Sequence, residues 1–288
     1  MDPLLPDLSI RQLEYLVAVD ESDNWARAAA SLGVSASALS QGLAELERRL
    51  GVPLFERSGR RRLLRASAKP VLDHARQVVA LTADLTRWAN RARGAAVGNI
   101  RVGLIDAAAI HHFGAELRAF REARPDLDMH LRVAPSETLL SLLAAADLDI
   151  VVCVEPTTTT QAFDLRPLLT EELAVYRPDG RRAGPPPSWG PWVLFPSGSH
   201  TRELITTELR ALGSPVDVVA ESHQPEVLKE MVRLGLGWTV LPVVQAETGE
   251  APLTRAKILA RRQLVAATRS GSAPDPGVGA LLDALVDD

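Results

Sequence analysis

Two sets of side chains near the start of the sequence are suited to bonding chemistry. Ser35, Ser37, Ser40 and Gln41 share one short stretch, and Arg57, Arg60, Arg61, Arg62, Arg65 and Lys69 form a run without an acid. A glutamine can pair with both N6 and N7 of an adenine, and such a pair discriminates by ~1–3 kcal/mol. Serines bond to bases or phosphates, an alanine such as Ala36 can pack on a thymine methyl, and clustered arginines neutralise phosphates. For a bare arginine run the ordinary reading is a solvated face. The neighbouring pattern favours nucleic acid here. Nowhere does the sequence offer a nucleophile–base motif, a glycine-rich phosphate loop or metal-ligand spacing, so neither catalysis nor a cofactor or metal is expected.

The elements that must position these side chains are legible around them. Ala28, Ala29 and Leu32 fall on one helix face, and Gly33 can take the left-handed turn conformation. Val34 re-enters the core, Ser35 stands at an N-cap, and Leu39, Leu43, Leu46 and Leu50 repeat until Gly51. The order small, glycine, large aliphatic at Ala29, Gly33 and Leu39 is that of a helix-turn-helix. Ser9 caps an earlier helix over Ile10, Leu13, Leu16 and Val17, and Ser22 or Asp23 caps the helix holding Trp25. Leu54 and Phe55 plug the underside. Glu56–Arg65 reads as a hairpin with Ser58 and Gly59 at its tip, placed to straddle a phosphate backbone or enter a minor groove.

From Ser67 a long helix carries Val71, Leu72, Ala75, Val78, Val79, Thr82, Leu85, Trp88 and Ala89 at near-heptad spacing. It reads as a dimerisation helix, with packing on its own domain as the alternative; Arg91 to Gly98 marks a hinge. From Asn99 the pattern becomes βαβαβ, with strands at 100–105, 129–134 and 148–154 and helices at 107–123 and 136–146, which implies a parallel sheet. Further strands are expected at 173–177, 192–195, 216–221, 237–241 and 263–268, and helices at 201–212, 224–234 and 278–286. The net charge of −4 is unevenly spread: residues 1–95 hold 14 Lys and Arg against 11 Asp and Glu, the remainder 18 against 25. A single cysteine, Cys153, rules out an internal disulfide and fits a reducing compartment; its apolar strand predicts a buried, inert thiol. With no signal-peptide pattern and no apolar run approaching ~20 residues, the expected place is the cytoplasm, away from any membrane.

These segments together resemble the LysR-type transcriptional regulators. The resemblance is carried by Ile10-Arg-Gln-Leu-Glu-Tyr-Leu-Val-Ala-Val19, Ala28-Ala-Ala-Ser-Leu-Gly-Val-Ser-Ala-Ser-Ala-Leu-Ser40, Leu46-Glu47 and Leu50-Gly-Val-Pro-Leu-Phe-Glu-Arg57 with Arg60-Arg61. The later half adds Leu148-Asp-Ile150, Pro167-Leu-Leu169 and Leu234-Gly-Leu-Gly-Trp-Thr-Val-Leu-Pro242. It implies an α N-terminal winged helix-turn-helix with a long linker helix, then a two-lobed α/β domain like periplasmic binding proteins. The implied bounds are 1–66 for DNA binding, 67–96 for the dimerisation helix and hinge, and 97–288 for an effector domain. Its lobe I would comprise 97–158 and 255–288, and lobe II 159–254. The implied DNA contacts are Ser35, Ala36, Ser37, Ser40, Gln41, Arg57, Arg60, Arg61 and Arg62. The chain departs from the family pattern in lacking its frequent glutamine near Ala36. Gly42 stands where a longer polar side chain is common, at a helix cost of about 1 kcal/mol. Ser67 is read as the cap after the wing.

In open α/β sheets ligands lie at the carboxyl ends of strands near helix N-termini. Those places hold Asp106, Ala107, Ser136, Thr138, Ser199, His200, Thr201, His223 and Gln224, with Arg202 adding charge; capping alone is the plainer role for several. An unpaired Asp106 carboxylate would repel an acidic effector and suit an amine-bearing or neutral one. His111, His112 and His223 are read as near this cleft. The partners implied are double-stranded DNA at an interrupted palindromic operator, an unidentified small-molecule effector, and self-association as dimer or tetramer; the family reading also admits RNA polymerase. The rival readings are an oligomeric DNA-binding regulator whose second half only assembles it, and an enzyme or solute carrier on the α/β lobes.

Overall fold

A computed structural model describes residues 7–58, 61–92, 98–156, 162–249, 251–273 and 275–286. The chain divides into two units, the first containing everything up to Ala92 and the second most of the rest.

In the first unit, α1 (Ile10–Asp20), α2 (Trp25–Ser31) and α3 (Ala36–Leu50) precede a hairpin of β1 (Phe55–Ser58) and β2 (Arg61–Leu64), and α4 (Lys69–Ala92) closes the unit. A reciprocal pair of bonds starts α1: Ser9 Oγ accepts from the Gln12 N–H, and the Ser9 N–H donates to Gln12 Oε1 at 3.1 Å. Gly33 turns the chain at φ 66° between α2 and α3. The core joins Leu16, Ala28, Leu39, Leu43, Leu46, Leu54 and Phe55 to Leu72 and Ala75 of α4. The first half of the α4 stripe thus packs on its own unit. Its second half leaves Leu85 and Trp88 at 56% and 45% exposure.

Two expected caps are corrected. Asn24, not Ser22 or Asp23, caps α2 by accepting from the Arg27 N–H at 2.9 Å, while Asp23 pairs with the Arg27 guanidinium. Ser67 sits inside a 3-10 turn, Ala66–Ala68, that has no side-chain cap.

Gly42 is also reinterpreted. It faces α1, and a Cβ there would come within 2.7 Å of Cδ2 and Cε2 of the buried Tyr15 ring. Helix propensity alone favours Gly42→Ala by about 1 kcal/mol, whereas overpacking costs ~1–3 kcal/mol. Net destabilisation is the expected result, read as a lower thermal midpoint for the first unit; a raised midpoint would refute the close approach of the ring.

The second unit is built on a six-stranded mixed sheet ordered β4 (Asp128–Val133), β3 (Asn99–Leu104), β5 (Ile150–Val154), β10 (Thr254–Arg269), β6 (Phe163–Arg177) and β9 (Thr239–Pro242), beside a two-stranded parallel sheet of β7 (Trp192–Leu194) and β8 (Val218–Glu221). Its first part contains β3 (Asn99–Leu104), α5 (Gly114–Ala123), β4 (Asp128–Val133), α6 (Ser136–Ala144) and β5 (Ile150–Val154). Strands β3, β4 and β5 are parallel, as the βαβαβ pattern predicts. Two long antiparallel strands follow, β6 (Phe163–Arg177) and, near the end of the chain, β10 (Thr254–Arg269). Between them lie β7 (Trp192–Leu194), α7 (His200–Ala211), β8 (Val218–Glu221), α8 (Pro225–Arg233), β9 (Thr239–Pro242) and α9 (Val243–Ala246), and α10 (Pro276–Val286) ends the unit.

Two apolar cores share these crossing strands. One gathers Ile100, Leu139, Val152, Val265 and Leu281, the other Tyr176, Trp192, Ile205, Leu228 and Trp238. Phe163, Leu165 and Leu169 pack with the first core and Ala256, Ile258 and Leu259 with the second. The lobes therefore change over near Glu171 and Arg262, each later in the chain than the bounds 158/159 and 254/255 that the sequence suggests. Both crossing strands are longer than the short strands expected at 173–177 and 263–268. Pro167, which has no N–H for the ladder, masks the first; a register shift between Leu264 and Val265 accommodates it.

The helix expected at 107–123 is broken into a π-helical turn, Ala108–His112, and α5. Cys153 is buried in β5, and burial pushes its thiol up to about 12. The native protein should therefore resist alkylation by iodoacetamide at pH 8 and yield one reactive thiol only after denaturation. Rapid native labelling would contradict this burial. Among the described residues, no helix is long and apolar enough to cross a membrane.

Candidate functional site

The candidate recognition surface of the first unit starts at the N-terminus of α3. Ser35 holds the extended conformation before the helix and accepts from the Ala38 N–H at 3.1 Å. Because Leu39, Leu43 and Leu46 face inward, Ser35, Ala36, Ser37 and Gln41 are left exposed and Ser40 half-buried. The hairpin aligns Arg57 with Arg62 and Ser58 with Arg61. Arg62 is exposed, its guanidinium 5.3 Å from the centre of the Trp25 ring, and Trp25 stands edge-on to Phe55 at 5.0 Å. Arg60 and the side chains of Arg57 and Arg61 lie outside the described residues.

Glu47, which the sequence offers only as part of the resemblance, has a structural role. Its Oε1 accepts from the N–H groups of Leu54 at 2.7 Å and Phe55 at 3.0 Å, which anchors the hairpin to the end of α3. Arg65 adds a bond from its Nε to the Phe55 carbonyl at 3.1 Å.

In the second unit a cavity of about 380 Å³ opens between the lobes. Of the residues expected at a ligand, Asp106, Ser136, Ser199, Thr201, His223 and Gln224 line it. Ala107, Thr138 and His200 do not appear in its wall: Ala107 is buried, Thr138 is exposed, and His200 turns its backbone N–H to Glu137. Arg202 is likewise directed elsewhere, toward the Phe195 carbonyl at 2.7 Å, Thr206 and Glu221. Asp106 is not unpaired. It accepts from the Ala107 N–H at 2.8 Å and from Gln245 Nε2 at 3.2 Å.

Glu137, between the expected Ser136 and Thr138, also lines the cavity, and the wall residues absent from the sequence expectation include Phe195, Gln245 and Arg262. Glu137 Oε1 accepts from the His200 N–H at 2.8 Å, so a carboxylate of the first lobe occupies the N-terminus of α7 in the second. Arg262 is 5% exposed and donates to Glu171 at 2.6 Å and to Thr201 Oγ1 at 2.9 Å. The Glu171 side chain is 2% exposed and has His112 Nε2 on its other oxygen at 2.6 Å. Burial alone would raise the Glu171 carboxyl, but the His112 bond and the Arg262 charge outweigh it and hold the group below its usual range. His111, beside this cluster, is lowered chiefly by burial and then by the His112 charge. The broken helix after β3 is what brings His112 to Glu171. The arrangement is that of a walled recess with fixed hydrogen-bonding groups, suited to holding a small molecule.

Comparison with known proteins agrees with both halves. The family model for the bacterial regulatory helix-turn-helix protein, lysR family, matches residues 10–69, and the LysR substrate binding domain matches residues 93–288. The chain is 27% identical to the transcriptional regulator IlvR of Caulobacter vibrioides, over 93% of this chain and 100% of that protein. It is 30% identical to the DNA-binding transcriptional dual regulator OxyR of Escherichia coli K12, over 82% and 80%. Among solved structures, a full-length OxyR variant from Pseudomonas aeruginosa superposes with a TM-score of 0.64 at 21% identity, over 96% of this chain and 97% of that one. CbnR in complex with its target DNA gives a TM-score of 0.58 at 21% identity, over 96% and 99%. Residues 10–69 and 93–288 together take in nearly the whole sequence, and the chain belongs to the LysR family of DNA-binding transcriptional regulators with an effector-binding domain.

Proposed function

We propose that the chain reads a double-stranded, interrupted palindromic operator through Ser35, Ala36, Ser37, Ser40 and Gln41 of α3 and Arg57, Arg60, Arg61 and Arg62 of the hairpin. The observation that carries this reading is the exposed polar edge of α3 ahead of three fully buried leucines, beside an arginine-rich hairpin. Two copies present two such edges, and the exposed Leu85 and Trp88 on the second half of α4 supply apolar surface for pairing. A small effector in the cleft between the lobes modulates binding or activation. The walled cavity supports this over a second half that serves only in assembly. The chain acts as a regulator in the cytoplasm and catalyses no reaction.

The test is the salt dependence of operator binding. Arg60→Ala with Arg61→Ala should weaken binding across sequences and flatten the slope of log K against log salt by about 0.9 for each phosphate that is no longer neutralised. Footprinting the DNA upstream of the coding region supplies the operator. An unchanged slope would remove the hairpin from the interface.

A further inference from the structure

We infer that the ligand of the cleft is a small organic cation, an ammonium group on an apolar body. The inference rests on the reading of the cleft as the effector site and names the chemistry that site selects. Three observations carry it. First, the wall divides by type: Ile105, Val133, Val154 and Phe195 offer apolar surface, while Asp106 and Glu137 contribute carboxylates from the first lobe. Second, the two positively polarised groups that would best receive an anion, the N-terminus of α7 and Arg262, are already engaged. The N-terminus of α7 holds the Glu137 carboxylate at 2.8 Å and is capped by Ser199, which accepts from the Arg202 N–H. Arg262 is engaged by Glu171 and Thr201. An incoming carboxylate would meet a carboxylate where it needs a donor.

Third, acceptors remain unfilled at the same wall. Gln245 is 3% exposed and borders the cavity, and its Oε1 has no hydrogen-bond partner. Asp106 receives two donors, fewer than its two oxygens can take. A ligand bringing three N–H donors and a positive charge satisfies these groups, and its apolar body fills the rest. A volume of about 380 Å³ is at the small end of ligand sites, which limits the ligand to metabolite size. Among the described residues no three His, Cys, Asp or Glu side chains stand close enough to hold a metal, so an organic cation fits the cleft better than a bare ion.

The experiment uses the purified full-length chain and three probes of similar apolar body and different head-group charge: phenethylamine, 2-phenylethanol and phenylacetate. Binding is read by thermal shift and by calorimetry at pH 7. Phenethylamine should raise the midpoint and the other two should not. Asp106→Asn and Glu137→Gln should each weaken phenethylamine binding by at least tenfold. A second variant guards against misfolding in the first, and each is accepted only if its own unliganded melt remains cooperative. A shift with phenylacetate and none with the amine would overturn the inference while keeping the cleft as an effector site. Silence from all three probes would overturn both. An amine shift that survives both substitutions would place the cation elsewhere and also overturn the inference.

Discussion

Glu171→Ala should be among the most damaging single changes in the second unit, costing about 3–5 kcal/mol and lowering its thermal midpoint by many degrees. The substitution leaves the Arg262 guanidinium, itself 5% exposed, with Thr201 as its remaining partner. The loss measures a stranded charge more than the worth of the pair. Replacing both groups with apolar residues, Glu171→Leu with Arg262→Met, should therefore recover much of the stability. If the double variant is as unstable as the single one, the ion pair contributes by a different route. The pH dependence has a definite sign. Because the native carboxyl lies below its usual range, its stabilisation is complete above the unfolded value near ~4.3 and is lost as pH falls through the lowered native value. The gap between the wild-type chain and Glu171→Gln should then close on acidification. A gap that widens on acidification would contradict the direction assigned to Glu171.

On the DNA side, Gln41→Ala should relax preference at one base pair in each half-site by about 1–3 kcal/mol, or roughly 5- to 160-fold, with little change at other positions. Gln41 is the longest polar side chain on the exposed N-terminal half of α3, where its neighbours are serines and alanines. Binding to a panel of singly substituted operators checks this directly. A uniform loss across the panel would confine Gln41 to the phosphate backbone. With few long side chains on α3, the remaining discrimination falls to DNA shape and to the hairpin arginines.

The helix-turn-helix was readable because its determinants are local. Ala29, Gly33 and Leu39 specify close crossing, turn and shared core within eleven residues, and the structure buries or turns each accordingly. Gly42 was misread because its constraint is not local: the neighbour that needs the missing side chain is Tyr15, in another helix. The cleft was half legible for the same reason. Asp106, Ser136 and Thr201 follow from where strands end and helices begin. Glu171 with Arg262, and Glu137 with His200, meet across 91 and 63 residues. One signal was present. In β6, Glu171 falls in phase with buried Leu173 and Val175, and in β10 Arg262 falls in phase with Leu264 and Ala266. A charge in step with an apolar face calls for a buried partner. The strands expected at 173–177 and 263–268 stopped just short of both residues.

The two crossing strands have a mechanical consequence. They are paired with each other along nearly their whole length, and each carries side chains into both apolar cores. The lobes are thus joined by a two-ply ribbon whose plies are hydrogen-bonded to each other. Its midpoint is pinned by the Glu171–Arg262 ion pair, which couples the two plies at the one place where neither core grips them. A ligand that drew the lobes together would have to twist this ribbon, and the Glu171–Arg262 pair would lie at the point where that twist concentrates.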